Sequence, residues 1–169
     1  MKRNCIQKAV AFTGISGSGK TSVIVKIANI LQDEGYKIAI IKHDPKDKAM
    51  FDKEGKDSFK FSQTKADVVV TSPFKTTYFK PKPLDIKAIA KMVSPFDFLL
   101  VEGLKSLNLP RICICRGIVD EGYFDISDTI AIDHTIDKNI LPKGVKLLNL
   151  NDTNQIVAWI KQNAKEMKV

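Results

Sequence analysis

Residues 14–21 read GISGSGKT, and what stands on either side of them decides the fold. Before them, Ala9 to Thr13 (AVAFT) is a short apolar run without alternation, the pattern of a buried parallel strand. After them, Val23, Ile24, Ile27, Ile30 and Leu31 recur at helical spacing from Lys20 to Glu34, and Gly35 ends the helix as a C-terminal cap. The octet thus matches G-x-x-x-x-G-K-[ST] in the strand–loop–helix context that a phosphate-binding loop requires. Gly14, Gly17 and Gly19 let successive backbone N–H groups converge on phosphate oxygens, and the helix N-terminus adds its dipole. Lys20 is expected to reach the terminal phosphates and the Thr21 hydroxyl to hold Mg²⁺, with Ser16, Ser18 and Ser22 completing the loop.

A metal held by one hydroxyl and by phosphate oxygens needs a carboxylate from a neighbouring strand end. Phe98 to Val101 is a fully apolar run closed by Glu102, which makes Glu102 the expected Mg²⁺ partner and places Gly103 beside it for close backbone approach. Asp97, at the other end of that strand, faces away from such a site. Lys37 to Ile41 is a second strand, and Lys42-His43-Asp44 ends it. Two readings of that triplet stand open from chemistry alone. It is a solvated strand end, or it lies on the phosphate rim with Asp44 orienting a metal-bound or attacking water.

Further along, Lys42 to Lys56 is a long polar loop, Asp57 to Thr64 a short helix capped by Asp57 or its neighbour, and Asp67 to Thr71 and Lys75 to Lys80 are strands. A helix is expected over Asp85 to Met92, strands over Arg111 to Cys115 and Thr129 to Ile132, and a helix over Thr153 to Ala164. Thr64-Lys65-Ala66-Asp67 imitates a guanine-reading element. It precedes its strand, however, which would put it at the rim opposite the phosphate loop and argues against that role. Apolar strands alternating with amphipathic helices predict an α/β protein, a P-loop NTPase with a mainly parallel sheet between helices on both faces, in one domain over residues 1–169.

Composition narrows the partners. The 169 residues are 44% apolar, enough for one core, and carry a formal charge of +8, which favours anionic ligands. The cations are mostly lysines interleaved with acids, without an arginine stripe, so a nucleic-acid footprint is not expected. No apolar run approaches the roughly 20 residues of a membrane helix. The basic start Met1-Lys2-Arg3 leads into the glycine loop and not into a cleavage site, so a cytoplasmic protein is expected. Cys5, Cys113 and Cys115 suit a reducing compartment; the latter two, two apart in a strand, are read as small buried hydrophobes and not as a metal pair.

Several segments together resemble the MobB family, molybdopterin-guanine dinucleotide biosynthesis adapters of the P-loop GTPase class. They are Gly14 to Thr21, Ile40-Ile41-Lys42-His43-Asp44, Gly55-Lys56-Asp57-Ser58-Phe59, Phe98 through Lys105, and Pro110 through Arg116. The resemblance implies a GTP- and Mg²⁺-binding, weakly hydrolysing adapter that assists the guanylyltransferase MobA in converting molybdopterin to its guanine dinucleotide form, and that forms a homodimer. It implies nucleotide and metal roles for Lys20, Thr21 and Glu102, and places Asp44 with Lys42, His43, Lys56 and Asp57 on the rim of the same site. Cys115 stands where relatives commonly carry His. The alternative is a P-loop small-molecule kinase; against it, the chain has three arginines and no obvious arginine-bearing lid to exclude water.

Overall fold

The computed structural model describes residues 6–168; Cys5 and the start Met1-Lys2-Arg3 lie outside them. In chain order the elements are β1 (Lys8–Thr13), α1 (Lys20–Asp33), β2 (Ile38–Lys42), α2 (Asp57–Ser62), β3 (Val68–Thr71), β4 (Thr76–Phe79) and α3 (Ile86–Met92). There follow β5 (Phe98–Glu102), β6 (Arg111–Cys115), β7 (Thr129–Ile132), β8 (Lys146–Asn149), α4 (Thr153–Asn163) and β9 (Lys165–Glu166), with 3-10 turns at Glu121–Tyr123 and Lys138–Ile140. These elements gather into two compact units, one made of the residues up to His43 with those from Ala90 onward, the other of Asp44–Ile89.

The first unit is built on a sheet in the order β2-β5-β1-β6-β7-β8, every neighbouring pair parallel, with β9 antiparallel to the start of β1. The order follows from the side chains. β6 and β7 are buried throughout, as β1 and β5 are but for one terminal residue each, and these four are central. β2 alternates buried and exposed positions beyond Ile38 and lies at the edge. α1 and α4 cover one face, where Ile24, Ile27, Leu31, Ile156, Trp159 and Ile160 pack on Phe12, Leu100, Ile112 and Ile114. Each such burial stabilises by about 1.5–3 kcal/mol. Gly35, at φ +86°, turns the chain out of α1 while its N–H bonds to Gln32 O and that of Tyr36 to Leu31 O, which satisfies two terminal carbonyls.

Beside β6 and β7 the other face is closed by the 3-10 turns and their loops, with Ile136, Leu141 and Tyr123 over Cys113, Cys115, Ile130 and Ile132. Cys113 and Cys115 are buried there with their Sγ atoms 3.5 Å apart, as small apolar side chains would be. Their mutual hydrogen bond and their burial push the Cys113 thiol up, so it stays protonated.

In the second unit β3 and β4 form an antiparallel hairpin, Val68 opposite Phe79 and Thr71 opposite Thr76. This corrects the expectation that β3 joins the main sheet with Thr64-Lys65-Ala66-Asp67 at its far rim. The four residues between β3 and β4 are too few for a parallel crossover, and Ser72 N–H closes the turn on Lys75 O at 2.9 Å. Asp67 instead accepts hydrogen bonds from Lys80 Nζ at 2.8 Å and Tyr78 Oη at 2.6 Å, and the Lys80 bond, with Tyr78, holds its carboxyl below the usual range. Lys56, not Asp57, takes the cap position of α2, and Asp85 caps α3 from outside by accepting the Ala88 N–H at 2.8 Å.

Candidate functional site

The site grows from the end of β1. Gly14, at φ +129°, lies so close to β6 that a Cβ would sit 2.3 Å from the Ile114 carbonyl oxygen, so this position admits only glycine. The loop then rises over Ile15 and Ser18 to Gly19, the N-cap of α1, which offers no side-chain cap to the first helical N–H groups. Those donors are left for a ligand. Lys20 arches back, its Nζ donating to Gly14 O at 2.9 Å and Ile15 O at 2.6 Å. Burial lowers its pKa while Glu102 opposes the shift, the state of an ammonium waiting for more negative charge.

Strand register sets the rest. Glu102 ends β5 opposite Phe12 of β1 on one side and Lys42 of β2 on the other, so these strand ends share one rim. Thr21 Oγ1 donates to Glu102 Oε2 at 3.4 Å. A cavity of about 350 Å³ is lined by Ser16, Gly17, Gly19, Lys20, Thr21, Ser22, Lys42 and Glu102, which brings together eight of the residues expected from sequence. Gly103 donates to Phe12 O at 3.0 Å, and a Cβ on it would meet His43 Cβ at 3.2 Å. His43, whose N–H bonds to Glu102 O, therefore braces the strand end by packing on Gly103. Ser18 is buried under the loop, and among the described residues its Oγ has no hydrogen-bond partner.

Asp44, Lys56 and Asp57 belong to the second unit. The Asp44 carboxylate accepts from the backbone N–H groups of Lys46, Lys48 and Ala49 at 3.2, 2.7 and 2.7 Å, knitting the turn that follows β2. Lys56 precedes α2, and Asp57 in its first turn pairs with Lys60 at 3.1 Å.

The residues present fit a magnesium nucleotide. Thr21 and Glu102 set two hard oxygen donors side by side that could hold Mg²⁺, whose remaining ligands would come from phosphate oxygens and water. Among the described residues no three His, Cys, Asp or Glu side chains converge, so no all-protein metal cage is formed there. The open glycines, the uncapped helix and the Lys20 ammonium fit the anion.

Two arginines were not singled out by sequence reasoning. Arg111, 1% exposed, donates Nη1–H to Gly103 O at 3.0 Å and Nη2–H to Leu104 O and Leu107 O at 3.0 and 3.1 Å, holding the loop after Glu102 from beneath. Arg116 follows β6 and bonds to Asp133 beyond β7. A second cavity, of about 430 Å³, lies beyond the ends of β7 and β8 with Asp133, His134, Asn149 and Asn151 on its wall. Its signal in the sequence was the abrupt change from apolar run to polar residues after Ile132 and Leu148.

Residues 9–133 match the family model of MobB, molybdopterin guanine dinucleotide synthesis protein B. A molybdopterin-guanine dinucleotide biosynthesis adapter protein of Escherichia coli is 30% identical, the alignment covering 91% of this chain and 94% of that protein. An adapter-protein relative from Methanocaldococcus jannaschii is 32% identical over 76% of this chain, which spans only 53% of that relative's length. Among solved structures, MobB of Bacillus subtilis superposes with a TM-score of 0.72 over 94% of this chain and 98% of the other. At 19% identity that likeness carries the fold alone.

Proposed function

The chain belongs to the MobB family, and on that premise we propose that it is a GTP-binding, Mg²⁺-dependent adapter in molybdopterin guanine dinucleotide biosynthesis, weakly hydrolytic, acting with the guanylyltransferase MobA on molybdopterin. The observation that carries the reading is the convergence of Lys20, Thr21 and Glu102 around one cavity in a chain that matches the family model across that whole region. In this reading Lys20 neutralises the terminal phosphates, Thr21 and Glu102 hold the metal, and Asp44 orients water for a slow hydrolysis. When bound, the metal supplies charge neutralisation at the phosphates. The exposed apolar side chains of the hairpin, Val69, Phe74 and Tyr78, support a homodimer that covers them. The test is titration of the purified protein with GTP and ATP in the presence and absence of Mg²⁺, followed by capture of MobA. Equal affinity for both nucleotides with no association with MobA or molybdopterin would sink the reading; stoichiometric phosphate transfer to a small molecule would favour a kinase instead.

A further inference from the structure

We propose that Arg116 is a nucleotide contact, its guanidinium meeting the phosphates nearest the nucleoside on the side of the loop away from Lys20 and Glu102. The inference rests on the reading of the loop as a nucleotide site. Arg116 follows β6, the neighbour of β1 opposite to β5, and its Nη1 lies 3.4 Å from where a Cβ on Gly19 would stand. Gly19 is the uncapped N-cap of α1, so the guanidinium borders the edge of the loop where phosphate-binding N–H groups are open.

The side chain is held for such a task from behind. Its Nε donates to Asp133 Oδ2 at 2.9 Å, and among the described residues its Nη atoms have no hydrogen-bond partner. Asp133 is itself 9% exposed, and its other oxygen accepts from Thr135 N at 3.0 Å and from the Thr135 hydroxyl. Thr135 Oγ1 in turn receives the Gly117 N–H at 2.8 Å, which ties down the backbone next to Arg116. The pair joins a half-exposed guanidinium to a nearly buried carboxylate that Thr135 also satisfies, so Nε alone serves the fold and the planar fork left over is available to a ligand.

Direction comes from the sheet. Lys20 and Glu102 place the terminal phosphates and the metal on the β5 side, and the cavity with Asp133 on its wall lies beyond β7 and β8, about 10–15 Å across the rim from β1 at the usual strand spacing. A nucleotide extending from the loop toward that cavity crosses Arg116 with its proximal phosphates. The contact is therefore common to di- and triphosphates.

The experiment measures GDP and GTP affinity, by titration of fluorescent analogues at fixed salt, for the full chain and for Arg116→Ala, Arg116→Lys and Asp133→Asn. Arg116→Ala is expected to weaken GDP and GTP by the same factor, about ten- to a hundred-fold for a lost charge-assisted hydrogen bond, with ligand-free melting lowered by too little to account for that loss. Arg116→Lys should restore part of the loss, and Asp133→Asn should cause a smaller loss in the same direction. Unchanged GDP affinity in Arg116→Ala, or a loss confined to GTP, overturns the proposal. So does a drop in ligand-free melting that accounts for the whole loss, since the residue would then merely brace the loop. If the wild-type chain binds neither nucleotide, or binds them without needing Lys20, the failure lies in the nucleotide reading itself.

Discussion

Replacing Arg111 by Met tests whether the loop that carries Glu102 into the site is held by a buried cation. The guanidinium reaches four backbone carbonyls, three at 3.0, 3.0 and 3.1 Å and that of Lys105 at 3.5 Å, and one of the near three belongs to Leu104, a non-glycine residue at φ +47°. That left-handed conformation costs about 1–2 kcal/mol and persists only because something holds it. Hydrogen bonds from a charged donor contribute about 1.5–3 kcal/mol each, but burial of the cation opposes them, as the lowered Arg111 pKa indicates. Methionine removes both the bonds and the desolvation cost and keeps the stem packed, while the loop is open enough for water to reach some of the freed carbonyls. The net loss should be about 2–4 kcal/mol, or about 5–15 °C of melting temperature for a chain of this size. Thermal and urea unfolding of Arg111→Met and Arg111→Lys give the measurement. Lysine, lacking a planar fork, should recover no more than half of the loss. A methionine variant that melts within about 2 °C of wild type, or full rescue by lysine, refutes the argument.

Other outcomes follow from the same geometry. Lys20→Ala should abolish GTP binding, and because burial lowers the Lys20 pKa from 10.5, wild-type affinity should begin to fall below that pH as the ammonium loses its proton; an affinity flat to pH 10.5 speaks against it. Glu102→Ala should bind nucleotide but need far more Mg²⁺, read by titrating the metal at fixed GTP. Asp44→Asn should leave binding near normal and slow hydrolysis, measured by phosphate release, and unchanged turnover would show that Asp44 serves only its turn. Gly14→Ala, whose Cβ meets the Ile114 carbonyl at 2.3 Å, should lose about 2–6 kcal/mol by urea unfolding, whereas Gly17→Ala, at φ +82° with no neighbour within 4 Å, should lose only about 1–2.

The sequence made the phosphate loop legible because strand, glycines and helix are local and adjacent, and the apolar run before Glu102 marked the second strand end. What stayed hidden depended on distance in the chain. The hairpin β3–β4 was read as part of the main sheet because short β-branched runs look alike in either setting; only the turn at Ser72–Lys75 separated them. β8 was missed because its four residues alternate weakly, and they become a strand by pairing with β7. Arg111 begins an apolar strand and reads as its polar end, since nothing local shows that Gly103, Leu104 and Leu107 fold over it. Asp44 carried an expectation drawn from strand order, while its three backbone partners lie within five residues and were in principle readable as a turn.

The use of cations divides by chemistry. Of the chain's three arginines the two within the described residues flank a single strand, Arg111 at the start of β6 with its fork bonded to backbone carbonyls, and Arg116 just past its end, anchored through Nε with its fork left over. The remaining basic side chains are lysines, mostly exposed, which raise the net charge to +8 without fixing any geometry. A dispersed charge of that kind attracts polyanions over about a Debye length and is screened by salt, whereas a guanidinium anchored by a buried carboxylate acts at contact. Raising ionic strength should therefore slow nucleotide association in wild type and Arg116→Ala alike. Loss of Arg116 should appear chiefly as faster dissociation at any salt, because it removes a contact and leaves the steering field nearly intact.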